Sequence, residues 1–138
     1  MRKYTVYTHG SCFGNPGPGG WAALLIDEKT GRKKLITGSS PETTGNRMEL
    51  TAAIMALGAI RPGCSVRVVS NSQWVKEWIE QGGVGGRPNG DLWRELLALA
   101  ESHDTKFEWI RDLCDNPFNE YVNFIATEEA QKAKEYAE

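Results

Sequence analysis

Residues 4–21 constrain the fold of this chain more than any other stretch. Every position from Tyr4 to Thr8 is aromatic or β-branched, which suits a strand. From Gly10 to Gly20 the character changes. Glycine, serine, asparagine and proline crowd together, and the chain must turn tightly. Trp21-Ala22-Ala23-Leu24-Leu25-Ile26 then reads as a second strand. A strand that stops at a polar residue and hands over to a glycine-rich turn fixes that residue, and the glycines admit another molecule's backbone. The residue at that strand end is His9. A glycine-rich hairpin connection without chemistry is the plain alternative.

Strand one is expected over 3–9, strand two over 21–27 and strand three over 32–39, with a hairpin turn at Asp27–Gly31. Together they form an antiparallel meander. Residues 46–60 form a helix in which Leu50, Ile54 and Leu57 share a face. Thr43, Thr44 and Asn46 are candidate caps, and Arg61-Pro62-Gly63 ends the helix. Gly58 marks either a close approach to the sheet or nothing. Strand four covers 64–70, with Asn71 at its end, and a second helix covers 72–80. After a glycine-rich connection over 81–90 come a helix at 91–100 and strand five at 105–110. The final helix starts at Pro117 with Asn116 as cap. This order predicts an α/β fold, a mixed five-stranded sheet of three antiparallel and then parallel strands, flanked by helices. Strands one and four lie parallel and adjacent, which brings His9 and Asn71 together at their carboxyl ends.

The 138 residues suffice for one domain with a core. No run approaches 18 apolar residues, so no membrane span is expected. The chain enters a strand directly, without a leader-like apolar segment. Cys12, Cys64 and Cys114 form neither a disulfide framework nor a zinc pattern, and a reducing cytoplasm is the default. A net charge of −2 argues against strong non-specific nucleic-acid binding, though not against a local patch.

Four segments carry a resemblance. Thr8-His9-Gly10-Ser11-Cys12-Phe13-Gly14-Asn15-Pro16-Gly17-Pro18-Gly19-Gly20, Thr43 to Ala53, Ser70 to Val75, and Asp91-Leu92-Trp93 together resemble the type I ribonuclease H family, in order and over nearly the whole chain. The resemblance implies a ribonuclease H-like domain over 1–138 that acts as a monomer on RNA–DNA hybrids. It implies cleavage of the RNA strand with two Mg²⁺ or Mn²⁺ ions held by four carboxylates, an in-line displacement clamped by ions about 4 Å apart.

Matched to the family, the four carboxylate positions fall at His9, Glu49, Asn71 and Asn123, and only Glu49 is an acid. The family's flexible-loop histidine falls at Asn116. A unit charge pair at 4 Å is worth about 4 kcal/mol at an effective dielectric of 20, so each ion loses several kcal/mol of attraction. His9 prefers borderline metals such as Zn²⁺. The expectation is that Mg²⁺ or Mn²⁺ binds weakly, if at all, through Glu49, and that hydrolysis is absent or severely reduced.

The plainer reading of His9, a partly exposed strand-end histidine, is favoured over a metal-ligand or polar-site role. Glu49 fits a capping-box spacing with Asn46. By the same resemblance Asn15, Asn46 and Gln73 face the minor groove of a hybrid, where an amide can sense a 2′-hydroxyl. Cys12 and Thr44 meet the DNA strand or a phosphate, and Trp74, with Trp78 beside it, supplies an aromatic face, with core packing the stronger reading for at least one of the two. The family's basic protrusion is replaced by Gln81 to Gly90, with Arg87 its only positive charge. Two rival readings stay open. One is an active hybrid endoribonuclease that recruits Asp112 or Asp115, and the other is a scaffold that keeps only the fold.

Overall fold

The computed structural model describes residues 2–80, 89–111 and 116–137. Arg87, Asp112, Cys114 and Asp115, named above, lie outside the described residues. Strands β1 (Lys3–Cys12), β2 (Gly17–Asp27) and β3 (Lys33–Thr43) are followed by α1 (Gly45–Gly58) and β4 (Ser65–Ser70). Next come α2 (Gln73–Glu80), α3 (Gly90–Ser102), β5 (Asp104–Trp109) and α4 (Pro117–Ala137). The sheet order is β3-β2-β1-β4-β5. β1 pairs antiparallel with β2 and parallel with β4, and β4 pairs parallel with β5, as expected.

Alternation along the strands splits the core in two. Val6, Ala23, Leu25, Val66 and Val68 face Leu50, Ile54, Leu57, Trp74 and Leu96 on the α1–α3 side. Tyr7, Ala22, Leu24 and Val69 face Val122 and Ala126 of α4 on the other. The alternating burial of β5 places Phe107 and Trp109 against the first cluster. His103 ties two helix ends together. Its ring nitrogens lie 2.7 Å from the Leu99 carbonyl and 2.9 Å from the Ile60 carbonyl.

The strands around the glycine-rich segment are longer than expected. β1 runs on through Gly10 to Cys12 and β2 begins at Gly17, so the turn is only Phe13 to Pro16, with a cis Asn15–Pro16 bond. His9 is therefore not a strand end but an interior residue paired with Ala22. The glycines serve the molecule's own packing. A Cβ at Gly10 would lie 2.5 Å from the Met48 carbonyl carbon in α1, and one at Gly20 would lie 2.5 Å from Glu129 Cβ in α4. They let helices press onto both faces of the sheet. Gly58, by contrast, has nothing within 4 Å of its would-be Cβ and marks no close approach.

Candidate functional site

Glu49 stands one turn into α1, whose backbone lies on Gly10. Odd-numbered residues of β1 belong to the α4 face, as Tyr7 does, and α1 covers the opposite face. With no side chain at Gly10, the Glu49 carboxylate reaches across. Its Oε1 accepts the Gly10 N–H at 2.9 Å and stands 3.4 Å from His9 Nδ1. Glu49 is only 8% exposed. Glu49 Oε2 and His9 Nδ1 are buried with no hydrogen-bond partner among the described residues.

Burial sets the charge state of both groups. It pushes the Glu49 carboxyl up to about 7, while the Gly10 amide and the Ser72 hydroxyl pull it down. It lowers His9 to about 4. At neutral pH the imidazole is uncharged and the carboxyl close to half protonated. The 3.4 Å contact is therefore not a formed ion pair.

Register places the other two matched positions. The β1–β4 ladder ends at Tyr7 opposite Val69, and two residues further on it points His9 at Asn71. The Asn71 carbonyl accepts the Trp109 indole N–H at 3.2 Å. α4 runs beside β1. The Phe118 ring lies 5.3 Å from Tyr7, and Thr127 Oγ1 lies 3.5 Å from Ser11 Oγ. Asn123 falls between those contacts on α4 as His9 falls between them on β1. Asn116 Oδ1 accepts the Asn119 N–H at 3.1 Å, so its side chain is committed to the start of α4.

The nucleic-acid positions divide. Thr44 is the cap of α1, its Oγ1 accepting the Arg47 N–H at 3.2 Å. Asn46 is therefore inside the helix, and the capping-box pairing with Glu49 is replaced by Thr44 with Arg47. Cys12 Sγ donates to the Thr43 carbonyl at 3.3 Å and lies 3.4 Å from that of Gly17. Asn15 is exposed at the turn. Asn46 and Gln73 meet at a hollow of about 160 Å³ that they share with Trp74, Glu77, Asn89 and Trp93. Trp74 is not an open aromatic face but a core residue, 6% exposed. It packs edge-on against Trp78 and Trp93 at centroid distances of 6.4 and 5.6 Å.

Arg47 was not singled out from the sequence, and Asn89 was read only as lying near the start of the third helix. Arg47 grips Asp91 through two bonds of 2.9 and 3.1 Å and Asn89 Oδ1 at 3.2 Å, joining the start of α1 to the start of α3. That grip holds the Asp91 carboxyl down at about 2. Gln73 opens α2 at the same hollow, so three helix N-termini converge there. The Asn89-Gly90 dipeptide, with Asn89 at φ 72°, was the signal available.

The donors at the Glu49 position do not fit a pair of Mg²⁺ ions. Mg²⁺ wants octahedral oxygen ligands and gives up water reluctantly. Among the described residues, one buried carboxyl, one imidazole and two neutral amides stand at the matched positions, and no group of three or more acids, histidines or cysteines gathers that could hold an ion.

Residues 1–131 match the family model described as RNase H. The chain belongs to the ribonuclease H family. A Ribonuclease H of Stutzerimonas stutzeri is 40% identical, the match covering 94% of this chain and 92% of that one. A Ribonuclease HI of Caulobacter vibrioides is 40% identical over 95% of each. Among solved structures, the N-terminal RNase H domain of a Mycobacterium tuberculosis protein superposes over the whole of both chains, with a TM-score of 0.85 at 20% identity. A type 1 RNase H carrying the type 2 active-site motif is 27% identical, with a TM-score of 0.75 over 96% of this chain and 74% of that one. An RNase H1 from compost, solved with an RNA/DNA hybrid, has a TM-score of 0.73 at 23% identity and covers 94% of this chain and 98% of its own. Members of this family generally use divalent metal ions. Among the described residues of this member, no helix is long and apolar enough to cross a membrane.

Proposed function

We propose that this ribonuclease H family member binds RNA–DNA hybrid duplexes and that its metal-dependent hydrolysis of the RNA strand is absent or severely reduced. The observation that carries the reading is the surroundings of Glu49. The one acid among the four matched positions is buried, bonded to the Gly10 amide and faced by a neutral imidazole at 3.4 Å. The other three matched positions carry no anion to bridge two ions, and Mg²⁺ or Mn²⁺ affinity is weak as a result.

Binding is supported by the rim that remains. The start of α1, α2 and α3 converge around Asn46, Gln73 and Asn89, and helix N-termini favour phosphate oxygens. Amides at that rim suit hydroxyl recognition. The compost relative, which binds such a hybrid, shares the fold. On this reading the chain works as one domain over 1–138, as a monomer, in a reducing cytoplasm where Cys12 and Cys64 stay unbridged.

The test is a labelled RNA–DNA hybrid incubated with the pure protein in Mg²⁺ or Mn²⁺, beside a variant carrying His9→Asp, Asn71→Asp and Asn123→Asp. The expected result is saturable binding that weakens with salt, and cleavage by the triple variant only. Robust cleavage by the unaltered protein overturns the loss of hydrolysis. Salt-insensitive or absent binding overturns the hybrid reading.

A further inference from the structure

We propose that the strip between α4 and the edge strand β3, with the basic β2–β3 hairpin at its end, binds a single-stranded stretch of nucleic acid. Charge is the first observation. The chain as a whole carries −2, yet residues 2–34 hold six cations against two acids. Arg2 and Lys3 stand at the start of β1, and Lys29, Arg32, Lys33 and Lys34 on the hairpin, all exposed. Both acids are engaged locally. Asp27 Oδ1 accepts the N–H of Lys29 at 2.9 Å and that of Thr30 at 3.3 Å, and Glu28 Oε1 accepts the Thr5 hydroxyl at 2.6 Å. Among the described residues, only Arg2 of the six cations has an acidic partner, Asp27 at 3.7 Å. Arg2, Lys3 and Lys29 line a hollow of about 420 Å³ with Glu28.

Exposed rings beside these cations point to unpaired bases. Lys33 pairs with Ile26 and Leu35 with Leu24, so both lie on the α4 face of the sheet. Lys33 Nζ stands 5.9 Å from the centre of the Phe118 ring. Phe118 and Tyr121 are neighbours one turn apart on α4, 38% and 45% exposed, and Leu35 is 37% exposed. Lysines on an edge strand guard it against pairing with another chain. That accounts for Lys33 and Lys34, but not for open rings alongside or for the cations on the turn and β1. Cations that follow a phosphate backbone, joined to aromatic faces on which bases stack, hold single strands without reading their sequence. A duplex keeps its bases stacked inside and leaves the rings unused. Lys33 and Thr43 are the two ends of β3, about 30 Å apart along the strand, so the strip lies far from the hollow at Asn46 and Gln73.

The inference is independent of hybrid binding, because its probe is a single strand. The full chain is titrated with fluorescein-labelled oligothymidylate and, separately, oligouridylate, read by fluorescence anisotropy over a salt series. Two variants, Lys29→Ala with Lys33→Ala, and Tyr121→Ala, are titrated beside it, with folding checked by far-ultraviolet circular dichroism. Saturable binding is expected, about tenfold weaker in the lysine pair, with a log–log salt slope flatter by about 1.4. Tyr121→Ala should bind about fivefold more weakly. Unlabelled RNA–DNA hybrid and polyglutamate, at matched charge, should leave the strand in place. No binding, affinity unchanged in either variant, displacement by the hybrid, or displacement by polyglutamate, which would assign the strip to an acidic peptide, overturns the inference.

Discussion

Gly10 places its N–H 2.9 Å from Glu49 Oε1 and offers no side chain between that carboxylate and His9. A methyl group there would meet the α1 backbone 2.5 Å from the Met48 carbonyl carbon. Gly10→Ala is expected to destabilise the protein by about 1–3 kcal/mol through overpacking. Chemical denaturation would measure it. A loss within error would mean that α1 can lift off the strand freely.

Glu49 makes stability depend on pH with a particular sign. Its folded-state value is raised to about 7, so the folded protein holds a proton that the unfolded chain has released. Stability from this group is full below the ordinary carboxyl value and is lost as pH rises through about 7. The penalty at pH 8 is on the order of 3 kcal/mol. His9, lowered to about 4, has the opposite slope between about 4 and its ordinary value of 6.5, so the two largely cancel below neutrality. Glu49→Gln should therefore melt higher than the unaltered protein at pH 8 in EDTA, with the gap closing toward pH 5. Melting curves across that range decide it.

Restoring three carboxylates should destabilise the metal-free fold. His9→Asp, Asn71→Asp and Asn123→Asp together crowd like charges around Glu49, whose burial already disfavours its own charge. The expected outcome is a lower melting temperature in EDTA, and a larger rise on adding Mg²⁺ than the unaltered protein shows. No drop in EDTA would mean that the four positions do not share one site.

Trp74 should behave as core. At 6% exposure among Trp78, Trp93 and Phe107, Trp74→Ala is expected to cost about 3–5 kcal/mol of stability. Denaturant titration checks this. A stable variant whose hybrid binding is lost would restore the surface role.

Asp91→Asn should loosen the junction of α1 and α3. Asp91 is held down at about 2 by Arg47, so its contribution is present above its ordinary value and disappears as pH falls toward 2. The variant should melt lower than the unaltered protein at pH 7 and equally at the acid end of that window.

Much of the scaffold was legible because hydrophobic alternation and helix chemistry are local signals. The meander, the parallel β1–β4 pair, the Asn116 cap and the inward face of β5 all follow from neighbouring residues. Long-range contacts were not legible. Gly10 and Gly20 look like turn residues in sequence, but they are strand positions kept bare for α1 and α4. Trp74 matches a stacking position only through the family resemblance, and the contacts with Trp93 of α3 and Phe107 of β5 that make it core are long-range. The motif spacing singled out Glu49 and His9, which the fold brings to within 3.4 Å of each other. It could not show that Glu49 Oε2 and His9 Nδ1 are buried.

The fork between Arg47 and Asp91 has a consequence for how this architecture can vary. Because α3 is anchored at its first turn to α1, the placing of its start is set by two side chains 44 residues apart in sequence. A change at either partner is therefore felt at Asn89, and through it at the hollow shared with Asn46 and Gln73, so the two positions vary safely only as a pair.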